Sequence, residues 1–261
     1  MAYTDIDDPK LHHETLIYTG TGADRNIGGL DFQPDWVWIK RRTGGNANGG
    51  MFDSVRGVTK LISSSQTDGE QTIASSLKSF RSDGFSLGSG DSGYVNQNSG
   101  KTYVAWNWKA GGNAAAVGSN TDGSINTTDT TVNAAAGFSI STYTGTGSAA
   151  TVGHGLSKKP EMIIIRRRDD AAGWRVFHDA SAANYHYVLN TTAARASSSS
   201  IFNNTEPTTS VFTVGAGGSS ASGGHSSIGS AIKAIGGGLG GVGGYTVGKN
   251  LGGTTGGYIG A

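Results

Sequence analysis

The chain has no cysteine among its 261 residues, so no disulfide framework and no thiolate metal site can hold it together. Only four prolines occur, and charged residues make up 15% of the chain. Solvated disordered chains usually carry high net charge, and this one carries a formal +1, so it must fold by packing. That same near-neutrality supplies no global field to draw in nucleic acid or an acidic surface. The start, Met1-Ala-Tyr-Thr-Asp-Ile-Asp-Asp-Pro9, lacks a basic region followed by an apolar core, so no secretory signal is expected. What the chain has in excess is glycine, 44 residues of it, set among Ser, Thr and Asn. This composition suits short strands joined by many turns.

A stretch near the N-terminus recurs 125 to 127 positions later. Tyr18-Thr-Gly-Thr-Gly22 returns as Tyr143-Thr-Gly-Thr-Gly147, and Ile27-Gly28 as Val152-Gly153. Pro34-Asp-Trp-Val-Trp-Ile-Lys-Arg-Arg42 returns as Pro160-Glu-Met-Ile-Ile-Ile-Arg-Arg-Arg168. Phe52 matches Phe177, Leu61-Ile62 matches Val188-Leu189, and Phe85-Ser-Leu-Gly88 matches Phe212-Thr-Val-Gly215. Self-similarity at a fixed offset means one folding unit used twice.

The runs rich in Val, Ile, Thr and aromatics read as strands. In the first copy they are 14–19, 36–41, 58–63, 84–87 and 102–108; in the second, 138–143, 162–167, 175–178, 185–189 and 211–214. No amphipathic helix stands out. The expected fold is all-β: two repeated β-sandwich, jelly-roll-like modules plus a glycine-rich C-terminal tail. Residues 1–12 form an N-terminal arm, 13–112 module one, 113–136 a polar linker, 137–215 module two and 216–261 the tail. Module two has no sequence counterpart of the closing strand Thr102–Trp108. Its edge is expected to be covered by the tail, the linker or a neighbouring subunit, with Gly244–Gly248 the best internal candidate. Glycines at 236, 240, 244, 248, 252, 256 and 260 keep a spacing of four, which a glycine-zipper helix would share with an irregular tail. Lys233 and Lys249 interrupt the apolar run, so the argument for membrane contact by the tail is weak.

Little here points to chemistry. Gly90-Asp-Ser-Gly93 resembles the nucleophile turn of chymotrypsin-like proteases, but that chemistry needs a histidine beside the serine, and module one offers only His12 and His13. The six histidines show no repeated ligand spacing, and Asp5, Asp7 and Asp8 lack the glycine turn and distal glutamate of a calcium loop. No catalytic, cofactor-binding or metal-binding residue is assigned. The residues with a claim to glycan or partner contact are Trp36, Trp38, Trp106 and Trp108, spaced two apart on strands, and Arg41, Arg42, Arg167 and Arg168. Because Met162 and Ile164 replace Trp36 and Trp38 in the second copy, core packing or burial against a partner is the stronger expectation for the tryptophans. Of the three consecutive cations in each copy, at least one should point inward or toward a neighbour.

Several strings resemble, as a set, a module of marine tailed-bacteriophage virion proteins described as tail-fibre or host-recognition proteins. They are Tyr18–Gly22, Pro34–Lys40, Phe52–Lys60, Tyr103–Gly112, Val152–Leu156 and Pro160–Ile165. The resemblance covers about residues 1–215; the tail departs from it. It implies a non-enzymatic protein, made in the host cytoplasm and carried in the virion, a tail fibre or appendage mediating attachment to the host surface. Its partners would be other virion proteins and a host surface glycan or receptor, with no nucleic acid, and homo-oligomers, trimers by analogy with fibres. The alternatives are a capsid decoration or tail-nozzle protein and, last, a glycan-degrading enzyme, for which no carboxylate pair is marked.

Overall fold

The computed structural model describes residues 8–45, 47–89, 93–97, 100–111 and 118–217, and the backbone of 225–231. Module one contains β1 (His13–Thr19), β2 (Arg25–Gly28), β3 (Trp36–Arg41), β4 (Gly50–Asp53), β5 (Lys60–Ser63), β6 (Gln71–Thr72), β7 (Leu77–Arg81), β8 (Gly84–Leu87) and β9 (Thr102–Trp108). Module two contains β10 (Asp129–Asn133), β11 (Phe138–Thr144), β12 (Ala150–Gly153), β13 (Met162–Arg167), β14 (Arg175–His178), β15 (Tyr185–His186) and β16 (Ala196–Ser197). It ends with α1 (Ser199–Phe202), β17 (Val211–Val214) and β18 (His225–Ala231). The fold is all-β, and every ladder between these strands is antiparallel.

Module one is a sandwich. A six-stranded sheet, ordered β1-β9-β3-β4-β5-β6, faces a three-stranded sheet, β2-β8-β7. Between them lie Tyr18, Val37, Ile39, Phe52, Leu61, Phe85 and Tyr103, all buried. Alternation along β9 explains its part in this core: Tyr103, Ala105 and Asn107 are buried, and the residues between them are less so. Tyr103 stacks on Tyr18 with ring centroids 5.2 Å apart. The two large rings fill the sandwich where β1 and β9 meet.

Module two repeats the plan with a five-stranded sheet, β10-β11-β18-β13-β14, over the pair β12-β17. Its inner face carries Tyr143, Ile163, Ile165, Phe177 and Phe212, together with Phe202 from α1. The closing strand that the sequence comparison leaves missing is present: β18 lies between β11 and β13, as β9 lies between β1 and β3. The registers agree at one end of the strand, and a bulge in the β13–β18 ladder between Ile164 and Arg166 shifts the rest. Tyr18 faces Tyr103 and Arg41 faces Tyr103 in module one; Tyr143 faces Ser226 and Arg167 faces Ser226 in module two. The covering strand is therefore His225–Ala231, and it is a central strand rather than an edge. Gly244–Gly248 and the spaced glycines lie outside the described residues. The strand escapes sequence comparison because β9 reads Thr-Tyr-Val-Ala-Trp-Asn-Trp and β18 reads His-Ser-Ser-Ile-Gly-Ser-Ala.

Within the expected linker 113–136, residues 118–136 belong to the fold. Thr128 N–H donates to the Thr142 carbonyl, β10 pairs with β11, and Ile125 is buried in the core of module two. These contacts pair the outer side of β11, so β10 and not β11 is the edge of this sheet. Short two-residue strands such as β6 and β16 had no sequence signature, and 185–189 shortens to β15 with a bridge at Tyr187.

Proline placed in β18 should expose its central position. Ser227→Pro removes a donor from a strand paired on both sides, at an expected cost on the order of 2–3 kcal/mol, or roughly 5–10 °C in Tm. Thermal denaturation followed by circular dichroism measures this; an unchanged Tm would mean that β18 does not complete the sheet.

Candidate functional site

Strands covered on one face alternate, but β3 and β13 do not. Met162-Ile-Ile-Ile165 and Trp36-Val-Trp-Ile39 are near-continuous apolar runs, the mark of strands covered on both faces. The cover on the second face is the other module. The two large sheets pack face to face, and between them lies a third core of Trp36, Met51, Ile62, Ala110, Phe138, Ile140, Ile164, Trp174 and Val176, with Trp38, Trp108 and Met162 packed against it. The faces used are equivalent: Trp36 and Met51 in module one take the positions of Met162 and Val176 in module two. The contact resembles an isologous dimer interface contained within one chain.

The tryptophans are cross-strand neighbours, Trp36 opposite Trp108 and Trp38 opposite Trp106. Trp36 is 2% exposed and stacks on Trp108 with centroids 4.6 Å apart. From module two, Phe138 continues the stack, 5.8 Å from Trp36 at an interplanar angle of 12°. Trp38 and Trp106 lie 5.4 Å apart, both half-buried, and Trp38 Nε1 donates to Ser64 Oγ at 3.1 Å. Trp36 and Trp108 are thus packed between the modules, and Trp106 is the one least enclosed by this core. Trp174, which has no repeat partner, reaches the other way: its Nε1 donates to the Ser63 carbonyl of β5 at 2.8 Å.

Two polar rims flank this core. At one, Arg168 Nε and Nη2 donate to the two Glu70 oxygens at 2.9 and 3.0 Å, and the same carboxylate accepts from Arg56 Nη1 at 3.1 Å. Arg56 is itself buried against Asp53. Backbone bonds join the same loops, Glu70 N–H to the Arg168 carbonyl at 2.6 Å and Ala172 N–H to the Thr67 carbonyl at 2.9 Å. The approach is close enough that a Cβ on Gly69 would stand 2.8 Å from the Arg168 oxygen. Arg166 is fully buried, over the Trp174 ring, donating to the Ala172 and Asp68 carbonyls. Burial pushes its pKa down to about 10, still charged at neutral pH. At the other rim, Asn133 Nδ2 lies 2.9 Å from His12 Nδ1, and Thr131 Oγ1 bonds the Ala110 carbonyl.

The basic residues therefore separate. Arg168 is an inter-module clamp, and Arg167 pairs locally with Asp169 at 2.8 Å. Arg41 reaches Gln97 at 2.5 Å and the Gly44 carbonyl at 3.0 Å, and Arg42 is exposed. The structure does not bring the eight residues together as one surface. Phe138, Trp174, Arg56 and Glu70 join the interface without having been singled out in the sequence; the double-sided apolar run at 162–165 was the signal that a second face is covered. The buried carboxylates are engaged as well, Asp35 accepting from Ser54 Oγ at 2.8 Å and from the Ala110 N–H at 2.7 Å. Among the described residues no group of three or more His, Cys, Asp or Glu is placed to hold a metal, and no helix is long and apolar enough to cross a membrane. Asp91 and Ser92 lie outside the described residues.

A family model described as Domain of unknown function (DUF7483) matches residues 8–255, spanning both modules and β18. The chain belongs to that family. No curated protein and no solved structure matches it. The DUF7483 match covers the two sandwiches and the interface between them, so the family's unit is the pair and not the single repeat.

Two outcomes follow from this geometry. Trp36→Ala should cost about 3–5 kcal/mol in chemical denaturation, because it empties the centre of the shared core. A cost under about 1 kcal/mol would mean the modules do not depend on it. The second concerns pH. Burial alone would raise the Glu70 pKa, but the hydrogen bond and charge of Arg168 and the charge of Arg56 outweigh it and hold the pKa below its ordinary 4.5. His12, His13, His154 and His186 are each held below 6.5, by burial first. Lowered folded pKa values mean stability that is complete above the ordinary values and lost as pH falls through the folded ones. Tm should therefore drop from neutral pH into the histidine range and again below the carboxylate range. The Glu70–Arg168 coupling in a double-mutant cycle, about 1 kcal/mol at neutral pH, should vanish in acid.

Proposed function

We propose that this DUF7483 chain is a structural protein of a tailed-phage virion, a tail fibre or appendage that takes part in attachment to the host surface, and not an enzyme. The observation that carries this reading is the fusion of two sandwiches through a large aromatic face, which makes one stiff body from a repeat. Stiff repeated modules suit an appendage that must hold contact groups at a distance and engage many times weakly. The sequence resemblance of residues 1–215 to phage virion modules supports the same reading. So does the engagement of Asp35, Asp53 and Glu70 in structural bonds, since a depolymerase would need a carboxylate pair free for a sugar bond.

One observation favours the second reading, a capsid decoration or tail-nozzle protein. Of the aromatic and basic residues best suited to grip a glycan, Trp36, Trp38, Trp108 and Arg168 are used between the modules, leaving Arg41, Arg42, Arg167 and the rim of Trp106 as surface contacts. Electron microscopy of phage labelled with antibody to this chain distinguishes the two. Label on fibres, together with competition of adsorption by the purified protein, is expected for the appendage. Label on the capsid shell or nozzle, with no competition, assigns it to the second class. Absence from purified virions overturns both.

A further inference from the structure

The two modules differ at one edge. In module two, β11 is flanked by β10, and the Thr142 carbonyl accepts from Thr128 at 2.7 Å. In module one the equivalent strand is β1, with Ile17 in the place of Thr142, and among the described residues no strand lies outside it. We propose that this open edge pairs with the same edge of a second copy of the chain, making an antiparallel β1–β1 junction.

The hydrogen-bond directions along β1 alternate between β9 and the open side. His12 accepts from Lys109 N–H and Gly20 donates to the Lys101 carbonyl, so the even-numbered residues face β9. Antiparallel ladders alternate, so the backbone groups of His13, Thr15, Ile17 and Thr19 point to the open side. Arg25 Nη1 takes the Thr19 carbonyl at the far end, and those of Thr15 and Ile17 take no partner among the described residues. The strand carries no proline, no lysine and no bulge over seven consecutive pairs; its protections are Glu14 and the Arg25 cap at the Thr19 end. Ile17 is 63% exposed, the most exposed large hydrophobic side chain among the described residues.

A second copy fits this edge by its own sequence. A two-fold axis at Leu16 sets Thr15 opposite Ile17 of the other copy, so both free backbone sets are satisfied in one step and the exposed isoleucines are each covered. Glu14, the only acidic residue of the strand, falls opposite Tyr18, so the two carboxylates do not meet. The formal net charge of +1 adds little repulsion between copies. A foreign strand would cover one such edge; self-pairing removes two. This junction is independent of the virion reading, and a dimer without any adsorption activity would leave it standing.

The Ile17 N–H faces the open side, so Ile17→Pro should be tolerated within the subunit but should block pairing. Leu16→Pro, one residue away, removes a bond to β9 and should unfold module one. Sedimentation velocity of the full chain is expected to show a dimer, with Ile17→Pro and Ile17→Lys raising its dissociation constant by roughly tenfold or more, an unchanged circular-dichroism spectrum showing that the subunit fold is kept. Amide exchange at Thr15 and Ile17 should be slow in the wild-type chain and fast in Ile17→Lys at Thr15. A wild-type chain that stays monomeric overturns the proposal, even if its β1 amides are protected, since another segment of the same chain would then cover the edge. A dimer indifferent to both Ile17 variants also overturns it.

Discussion

The burial of one sheet face against its own repeat is the constraint on which the rest of this structure depends. A lone antiparallel sandwich keeps its outer faces polar. Here the outer faces of both large sheets are apolar, because each is the other's cover. That single packing decision makes Trp36 and Phe138 stack, draws Trp174 to β5, and takes Arg166 out of water with carbonyls and an indole face for company. Such a contact would be an exposed apolar patch in either module alone. Neither module is therefore expected to be a comfortable independent domain, whatever its own inner core.

The repeat is symmetric in backbone and asymmetric in side chains. β9 and β18 occupy the same slot, yet one is aromatic and the other is built mostly of small and polar residues. Lys40 and Arg41 hold the loop of their own module, while at the equivalent positions Arg166 is buried at the junction and Arg167 pairs with Asp169. Once two copies are joined in one chain, the positions at their contact are no longer obliged to be alike. Large rings on one side can be met by smaller groups on the other, which allows closer packing than two identical faces would. Glycine at 69 shows the same accommodation in the backbone, since the opposing loop leaves no room for a Cβ.

For a virion component, the proposed reading makes this asymmetry useful. A rigid pair of sandwiches carries force and geometry between its ends better than two modules on a polar tether. The segment 113–136 joins the fold through β10 and Ile125, so the described part of the connection belongs to module two rather than to a hinge.

Strand-rich composition, the offset of 125 to 127 residues and the lack of cysteine were enough to establish an all-β, packing-dependent chain built from a repeat. Apolar periodicity located most longer strands, since local propensity and half-burial agree there. It could not locate β18, because serine, glycine and alanine carry little strand preference; that segment is a strand because a slot between β11 and β13 supplies hydrogen-bond partners on both sides. The tryptophans were legible as one face of a sheet, but not what covers that face. Alternation in sequence reports which side a residue lies on, and only the approach of a distant sheet decides whether that side meets water, a ligand or the chain itself.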